Sequence, residues 1–253
     1  MTNYFFSDFT LNNYQRLLEL AKANYSFSFY DEEFMNKSIL LRHDLEFSIP
    51  IAVQMAEIEA ELGIKSTYFI QLHSEFYNLL ERRSFEGIKK IQKLGHQLGL
   101  HFDSRFWNIT DESQLDKAIE FDKDILEKYF DTELKAFSFH NNTDFTLSCR
   151  NEKYGGLLNV YSDYFRDNYG YTADSLGYWR FERMEDRLLE AKDEALQLLF
   201  HDGMWQDEVL PPRQRVFKVV DEHAAFLKKF YDEHLTEIGQ KNIDWDGDFK
   251  GKD

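Results

Sequence analysis

Apolar segments of strand length alternate with helices between residues 38 and 140, and this alternation constrains the fold more than any other feature. Strands are predicted at 38–44, 66–72, 97–102 and 135–140, and helices at 49–62, 84–95 and about 112–129. Gly63 and Gly95 close the first two helices, as glycine commonly does. Repeats of this kind build parallel sheets with right-handed crossovers.

The second half of the chain continues the pattern less regularly. Strands are predicted at 158–165, 171–175 and 195–201, and helices at 182–189 and about 213–238. An N-terminal helical extension, about 1–36, carries apolar residues at helical spacing from Leu11 to Ala21. Because no linker or repeat interrupts the 253 residues, we expect one domain spanning 1–253. The predicted fold is α/β, a distorted (β/α) barrel of about seven parallel strands.

Charged and imidazole side chains gather where these strands end. The first strand ends in "RHDLE" (42–46) and the third in "HFD" (101–103), while His73, His140 and "HD" (201–202) follow three others. Chemistry in α/β folds sits at the carboxyl ends of the strands. One histidine there is usually structural, but five of the eight histidines at one face indicate a site.

The residue types suit a hydrolytic metal site. Asp44 and Glu46 are two residues apart, so their side chains lean the same way and repel unless a cation or a shared proton lies between them. His101 can supply a nitrogen ligand from a neighbouring strand, and carboxylate with imidazole suits zinc or a similar metal. One carboxylate can then take a proton from water while an imidazole protonates the leaving group, which is amide or ester hydrolysis.

Composition excludes several classes of function. The net charge of −16 argues against nucleic acid or an anionic membrane as partner. Cys149 is the single cysteine, so a disulfide within the chain and a thiolate-rich zinc site are excluded. The N-terminus lacks the pattern of a signal peptide and no apolar run is long enough to span a membrane, which predicts a cytoplasmic protein. The apolar face of the last helix could pack on the barrel or on a second copy, so a homodimer is possible.

Four motifs resemble one family. They are "ILLRHDLE" (39–46), "AVQMAEIEAELGIKSTYFI" (52–70), "GHQLGLHFDS" (95–104) and "LLFHD" (198–202). In this order and at these spacings they resemble the polysaccharide deacetylase superfamily, the NodB-like family 4 carbohydrate esterases, from residue 38 to about 205. A divergent branch associated with surface-polysaccharide biosynthesis looks similar.

The resemblance implies roles for individual residues. Asp44 would be the general base, Glu46 and His101 metal ligands, and His201 the general acid. The segment "ADSLGYWR" (173–180) falls where the family brings in an aspartate and a tryptophan. Asp174 and Trp179 would therefore orient His201 and line the substrate wall. Further candidates for substrate binding are Arg42, His73, Arg105 and Arg180.

The chain also departs from the family pattern. Arg105 stands where the second metal histidine is usual, four residues after His101, and "FSFHNNT" (137–143) replaces an Arg-x-Pro motif. The third ligand would then be His140 or Asp103, unless the metal has been lost. Arg42 could alternatively form a buried ion pair with Asp44, and His43, which alternates away from Asp44, is predicted to form hydrogen bonds behind the sheet.

We therefore expect a metal-dependent hydrolase that removes an acyl group, foremost N-acetyl, from an amino sugar or glycan precursor. The resemblance implies a divalent metal, zinc before cobalt, nickel or iron. One alternative is a metal-independent hydrolase of cyclic amides on the same fold. The other is a degenerate carbohydrate-binding or partner subunit, although a base facing an acid has no use in a binding module.

Overall fold

A single sheet of nine strands runs through the protein, whose structure is a computed structural model describing residues 4–247. The strands are β1 (Ser26–Ser28), β2 (Ser38–Leu45), β3 (Thr67–Ile70), β4 (Gln97–Phe102), β5 (Ala136–Phe139), β6 (Lys153–Tyr154), β7 (Leu157–Asn159), β8 (Gly170–Ala173) and β9 (Ala195–His201). Their order is β6-β7-β5-β4-β3-β2-β9-β8, with β1 beside β2. Seven pairings are parallel and the pairing of β6 with β7 is antiparallel.

Helices flank this sheet, and apolar side chains from most of them pack against its outer face. They are α1 (Leu11–Lys22), α2 (Ile49–Glu61), α3 (Arg82–Lys93), α4 (Leu115–Phe130), α5 (Asp144–Ser148), α6 (Asp163–Asn168), α7 (Met184–Glu190) and α8 (Pro212–Glu237). The helices predicted from periodicity are confirmed. None of the helices within residues 4–247 has both the length and the apolar character that a bilayer span requires.

Two predictions of local structure are wrong. The strand predicted at 158–165 ends at Asn159, because the Asn159 side chain accepts from the Tyr161 N–H at 3.0 Å and turns the chain before α6. The N-terminal extension is not purely helical, since β1 follows α1 and pairs with β2. Residues 1–3 of that extension and 248–253 of the predicted domain lie outside the described residues.

The sheet is curled, which confirms the predicted barrel-like architecture in an open form with β6 and β8 at its edges. Gln197 of β9 donates from Nε2 to the carbonyl oxygen of Val160, just after β7, at 3.5 Å. Four strands separate β7 from β9 in the sheet order, so this contact requires strong curvature. The concave side holds the small apolar cluster of Tyr30, Leu40, Phe69 and Val160 with four others.

Side chains of β2 alternate between the two faces of the sheet. Leu40 packs on the concave side, whereas Ile39 and Leu41 pack against the cluster formed with α1 and α2. All eight residues of β2 are buried. Arg42 and Asp44 share the parity of Leu40, so the central strand directs its charged residues into the concave side.

His43 points the other way and ends in a buried polar cluster on α2, as predicted. Its Nε2 lies 2.6 Å from Glu59 Oε1, and Glu59 Oε2 accepts from Ser66 Oγ at 2.5 Å and Tyr68 OH at 3.0 Å. Tyr14 OH of α1 also donates to Glu59. Burial alone would raise the pKa of Glu59, but the nearby His43 lowers it. The cluster joins α1, α2 and β2 behind the site face.

Glu59→Ala should destabilise the fold by about 3–5 kcal/mol, since it leaves several buried donors without an acceptor. Denaturant unfolding followed by circular dichroism measures this, with Glu61→Ala as the control because Glu61 is exposed on the same helix. Equal free energies of unfolding for the two variants would show that the polar cluster around Glu59 does not stabilise the fold.

Candidate active site

Three side chains converge at the carboxyl ends of β2, β4 and β5. Glu46 follows β2, His101 lies in β4 and His140 follows β5. Glu46 Oε1 is 3.2 Å from His101 Nε2 and 2.9 Å from His140 Nδ1, and the two nitrogens are 3.1 Å apart. One carboxylate oxygen and two imidazole nitrogens within 4.8 Å of one another form a ligand set suited to zinc and similar metals.

A hydrogen-bond chain fixes the ring of His101 for such a role. His101 Nδ1 is 2.8 Å from Ser138 Oγ, and Ser138 donates to Asp44 Oδ1 at 3.1 Å. Because the hydroxyl proton goes to the carboxylate, the Ser138 oxygen accepts from Nδ1–H, so Nε2 is the His101 atom that faces Glu46 and could bind a metal. Metal-binding histidines carry this kind of second hydrogen bond. The residues present therefore fit a divalent metal.

The carboxylate of this set is held in its ionised form. Burial alone would raise the pKa of Glu46, but the charge of His201 and the hydrogen bonds from His101 and His140 bring it well below its usual value. An ionised carboxylate is the form that binds a metal.

Asp44 is buried beside this set and is paired with Arg42. Arg42 donates from Nε to Oδ1 at 2.8 Å and from Nη2 to Oδ2 at 2.6 Å. Burial opposes ionisation of Asp44, but the Arg42 charge outweighs it and lowers the pKa. With Ser138 as the third donor, one of the roughly four lone-pair positions of the carboxylate is left for a ligand in the cleft.

His201, the residue opposite Asp44 on β9, is held by Asp174. Asp174 Oδ1 lies 2.5 Å from His201 Nδ1, and Oδ2 accepts from the His201 backbone N–H at 2.9 Å and from Trp205 Nε1 at 2.7 Å. Burial lowers the pKa of His201, but the carboxylates of Asp174, Glu46 and Asp44 together raise it to about 10. The imidazole therefore carries two protons at neutral pH in the metal-free protein.

Asp202 positions the loop that carries Glu46. Its Oδ1 accepts from the Glu46 N–H at 2.8 Å, its Oδ2 from the Phe47 N–H at 3.1 Å, and it also accepts from the Ser48 N–H. Burial raises the pKa of Asp202 to about 7, against the effect of these donors. Asp202, which directly follows His201, thus fixes both the start of α2 and the backbone of the candidate ligand Glu46.

Four of these groups open into one cleft of about 370 Å³. Its lining includes Asp44, Glu46, His101 and His201, together with Tyr161, Tyr171, Arg105 and Arg180. The two arginines are exposed at the rim, and neither forms an ion pair with a carboxylate within residues 4–247. A second cavity of about 560 Å³, lined by His140 and His73 among others, adjoins the first, since Glu46 and Arg105 line both.

Three predicted site residues do not line the cleft of about 370 Å³. Arg42 is fully buried, out of reach of a substrate, and forms the ion pair with Asp44 that the sequence left as the alternative. Trp179 does not line the cleft, because its Nε1 donates to Asp8 at 2.8 Å and its ring packs on Phe9. Asp103 accepts from the Arg105 N–H at 2.8 Å and caps the turn after β4, outside the set of three possible ligands.

His73 lies at the rim of the second cavity. Its Nε2 is 3.1 Å from Asp122 Oδ1, and its ring stacks on Phe106 with 3.5 Å between centroids. Contact of His73 with a substrate stays a prediction.

Sequence reasoning missed Ser138, Asp202 and Trp205 as supporting residues. Ser138 could have been found, because it is two residues before His140 and therefore shares its side of β5. No signal in the sequence marks Asp202 as an acceptor for the loop at 46–48, or Trp205 as a donor to Asp174.

No protein-family model and no curated protein matches the chain, but solved structures do. A family 4 carbohydrate esterase from Bacillus anthracis is 16% identical, covering 82% of this chain and 85% of that one, with a TM-score of 0.45. The chitin deacetylase of Colletotrichum lindemuthianum is 13% identical, covering 74% and 83%, with a TM-score of 0.45. A family 4 pseudoenzyme from Bacillus anthracis is 11% identical, covering 74% and 62%, with a TM-score of 0.42. The first and the third are named as members of family 4, the family that the motifs resemble, but matches this distant do not transfer an activity.

Asp174→Asn should lower the pKa of His201 by about one to three pH units, since it removes the closest negative charge. Ring-proton or ring-nitrogen NMR of the metal-free protein measures the titration, with Asp207→Asn, in an exposed loop, as control. In the wild type, the pKa of His201 is higher in the folded than in the unfolded protein, where it is near 6.5. Protonation of His201 therefore contributes fully to the free energy of unfolding below about pH 6.5, and this contribution is lost as the pH rises through about 10. An unchanged titration in Asp174→Asn would contradict the assignment.

Proposed function

We propose that the protein is a metal-dependent hydrolase that removes an acyl group, foremost acetyl, from the nitrogen of an amino sugar. The observation that carries the proposal is the convergence of Glu46, His101 and His140, beside the cleft that Glu46 and His101 line together with Asp44 and His201. A carboxylate and two imidazoles would hold the metal. The other carboxylate and the remaining imidazole are then free for proton transfer. The motif resemblance supports the reaction class.

The protonation states support an acid and a base with fixed roles. Arg42 keeps Asp44 ionised, so Asp44 can accept a proton from an attacking water. Asp174 keeps His201 protonated, so His201 can deliver a proton to the departing amine nitrogen. Neighbours that push two pKa values apart are the usual sign of assigned acid and base roles. A bound divalent metal would polarise the acyl carbonyl and make water more acidic.

The lining of the cleft supports a carbohydrate substrate. Tyr161 and Tyr171 offer ring faces and hydroxyls of the kind that bind sugars. Arg105 and Arg180 lack carboxylate partners in the described chain and are free to bind substrate oxygens, including those of a charged glycan precursor. In a protein with 46 acidic and 30 basic residues, two such arginines at one cleft favour a substrate rich in acceptor oxygens.

Metal content tests the ligand set directly. We expect about one zinc, cobalt, nickel or iron ion per chain, measured by elemental mass spectrometry on protein purified without a histidine tag or chelator. His101→Ala and His140→Ala should each lose it, whereas His73→Ala, a histidine at the adjoining rim, should retain it. No metal in any of the four proteins after reconstitution would overturn the metal-dependent reading and favour the metal-free hydrolase.

Activity tests the acid and base. Acetate release from a panel of N-acetylated amino sugars should fall about 10²–10⁴-fold in kcat for Asp44→Asn and for His201→Gln, the range for loss of a general acid or base. Asp207→Asn, the exposed loop variant, should match the wild type. A metal-loaded wild type that releases no acetate from any sugar would instead favour a binding subunit.

A further inference from the structure

A stripe of exposed side chains runs along one side of α8. Successive members are alternately three and four residues apart, which is the spacing of the a and d positions of a coiled coil. They are Phe217, Val220, Ala224, Leu227, Tyr231, His234 and, just after the helix, Ile238. The five largest apolar members are between 46% and 55% exposed.

The body of the protein holds α8 by a different side. Arg215 and Val219 are the buried residues of the helix, and the guanidinium of Arg83 lies over the ring of Phe226, 4.1 Å from its centroid. Residues 215, 219 and 226 are four and seven apart, so they share a side that is distinct from the stripe. The stripe spans about 31 Å at 1.5 Å per residue. It is left open except at Tyr231, whose hydroxyl accepts a hydrogen bond from Asn242 Nδ2 at 2.7 Å.

We propose that the stripe pairs with the same stripe of a second copy, as an antiparallel coiled coil. In this arrangement the a position of one helix meets the d position of the other. Phe217 lies opposite His234 of the second copy, Val220 opposite its Tyr231, and Ala224 opposite its Leu227. Small residues meet large ones at the centre, and the polar His234 comes to the outer end of the interface.

Charges beside the stripe select the second copy and the antiparallel direction. Asp221 directly follows Val220, and Lys228 directly follows Leu227. Both therefore occupy e positions, which flank the apolar seam of a coiled coil and carry its interhelical ion pairs. Antiparallel pairing brings Asp221 of each copy opposite Lys228 of the other, so the attraction occurs twice. Neither side chain has an ion-pair partner within residues 4–247. A parallel pair would instead bring Lys228 of each copy near His223 of the other, and Tyr231 would meet Tyr231 of the second copy.

Two adjacent alanines provide a matched test. Ala224 lies in the stripe, whereas Ala225 is exposed on another side of α8. Sedimentation velocity of the full chain between about 1 and 100 µM should show a wild-type dimer. Ala224→Glu should raise its dissociation constant at least about tenfold, because it buries an unpaired charge. Ala225→Glu makes the same chemical change and should leave the dissociation constant as in the wild type.

Charge reversal tests the direction. Asp221→Lys and Lys228→Asp should each weaken the dimer, since each places like charges opposite one another twice, and the double variant should restore it. Asp221 and Lys228 are seven residues apart on one helix, too far for rescue within a copy. A wild type that stays monomeric throughout the range would overturn the proposal, and so would equal loss in both alanine variants. Failure of the double variant to recover would overturn the antiparallel direction. None of these outcomes bears on metal binding or acetate release.

Discussion

The ion pair between Arg42 and Asp44 is the interaction on which the rest of this structure depends. Both side chains are buried on the concave side of the sheet, where an unpaired charge would cost about 3–5 kcal/mol or more. Arg42 therefore takes further partners, Gln197 Oε1 at 3.3 Å and Tyr161 OH at 2.8 Å. These partners belong to β9 and to the segment after β7, so one guanidinium joins regions that lie far apart in the sheet order. The same guanidinium thus bridges the two regions across the concave side and keeps Asp44 ionised.

The parallel register then decides where the proposed acid and the proposed base lie. Asp44 of β2 and His201 of β9 are paired residues, so the two side chains occupy one level of the concave face. Arg42 stabilises negative charge on Asp44, and Asp174 stabilises positive charge on His201. Asp44 is thus kept deprotonated and His201, across the cleft from it, is kept protonated. This opposition comes from buried partners, so it does not depend on the rim residues that would recognise a substrate.

Regular features of the fold and site were predictable from the sequence because they depend on local periodicity. The strand at 38–44, the helix at 49–62 and the strand at 97–102 follow from hydrophobic spacing and glycine caps. The gathering of His101, His140 and His201 at one edge follows from the rule on carboxyl ends of parallel strands. What could not be predicted depends on contacts between distant segments. The burial of Arg42 depends on Gln197 and Tyr161, and the position of Trp179 on Asp8, which is 171 residues away.

The third candidate ligand illustrates how register supplies what spacing does not. Arg105, four residues after His101, is carried to the exposed rim by the turn that Asp103 caps. In the parallel pairing of β4 with β5, His101 lies opposite Ser138, which puts His140 one step further on the same side of β5. The neighbouring strand thereby delivers a nitrogen 3.1 Å from that of His101. A set of one carboxylate and two imidazoles can therefore form with one imidazole supplied by the adjacent strand, because the carboxyl ends of neighbouring parallel strands lie side by side.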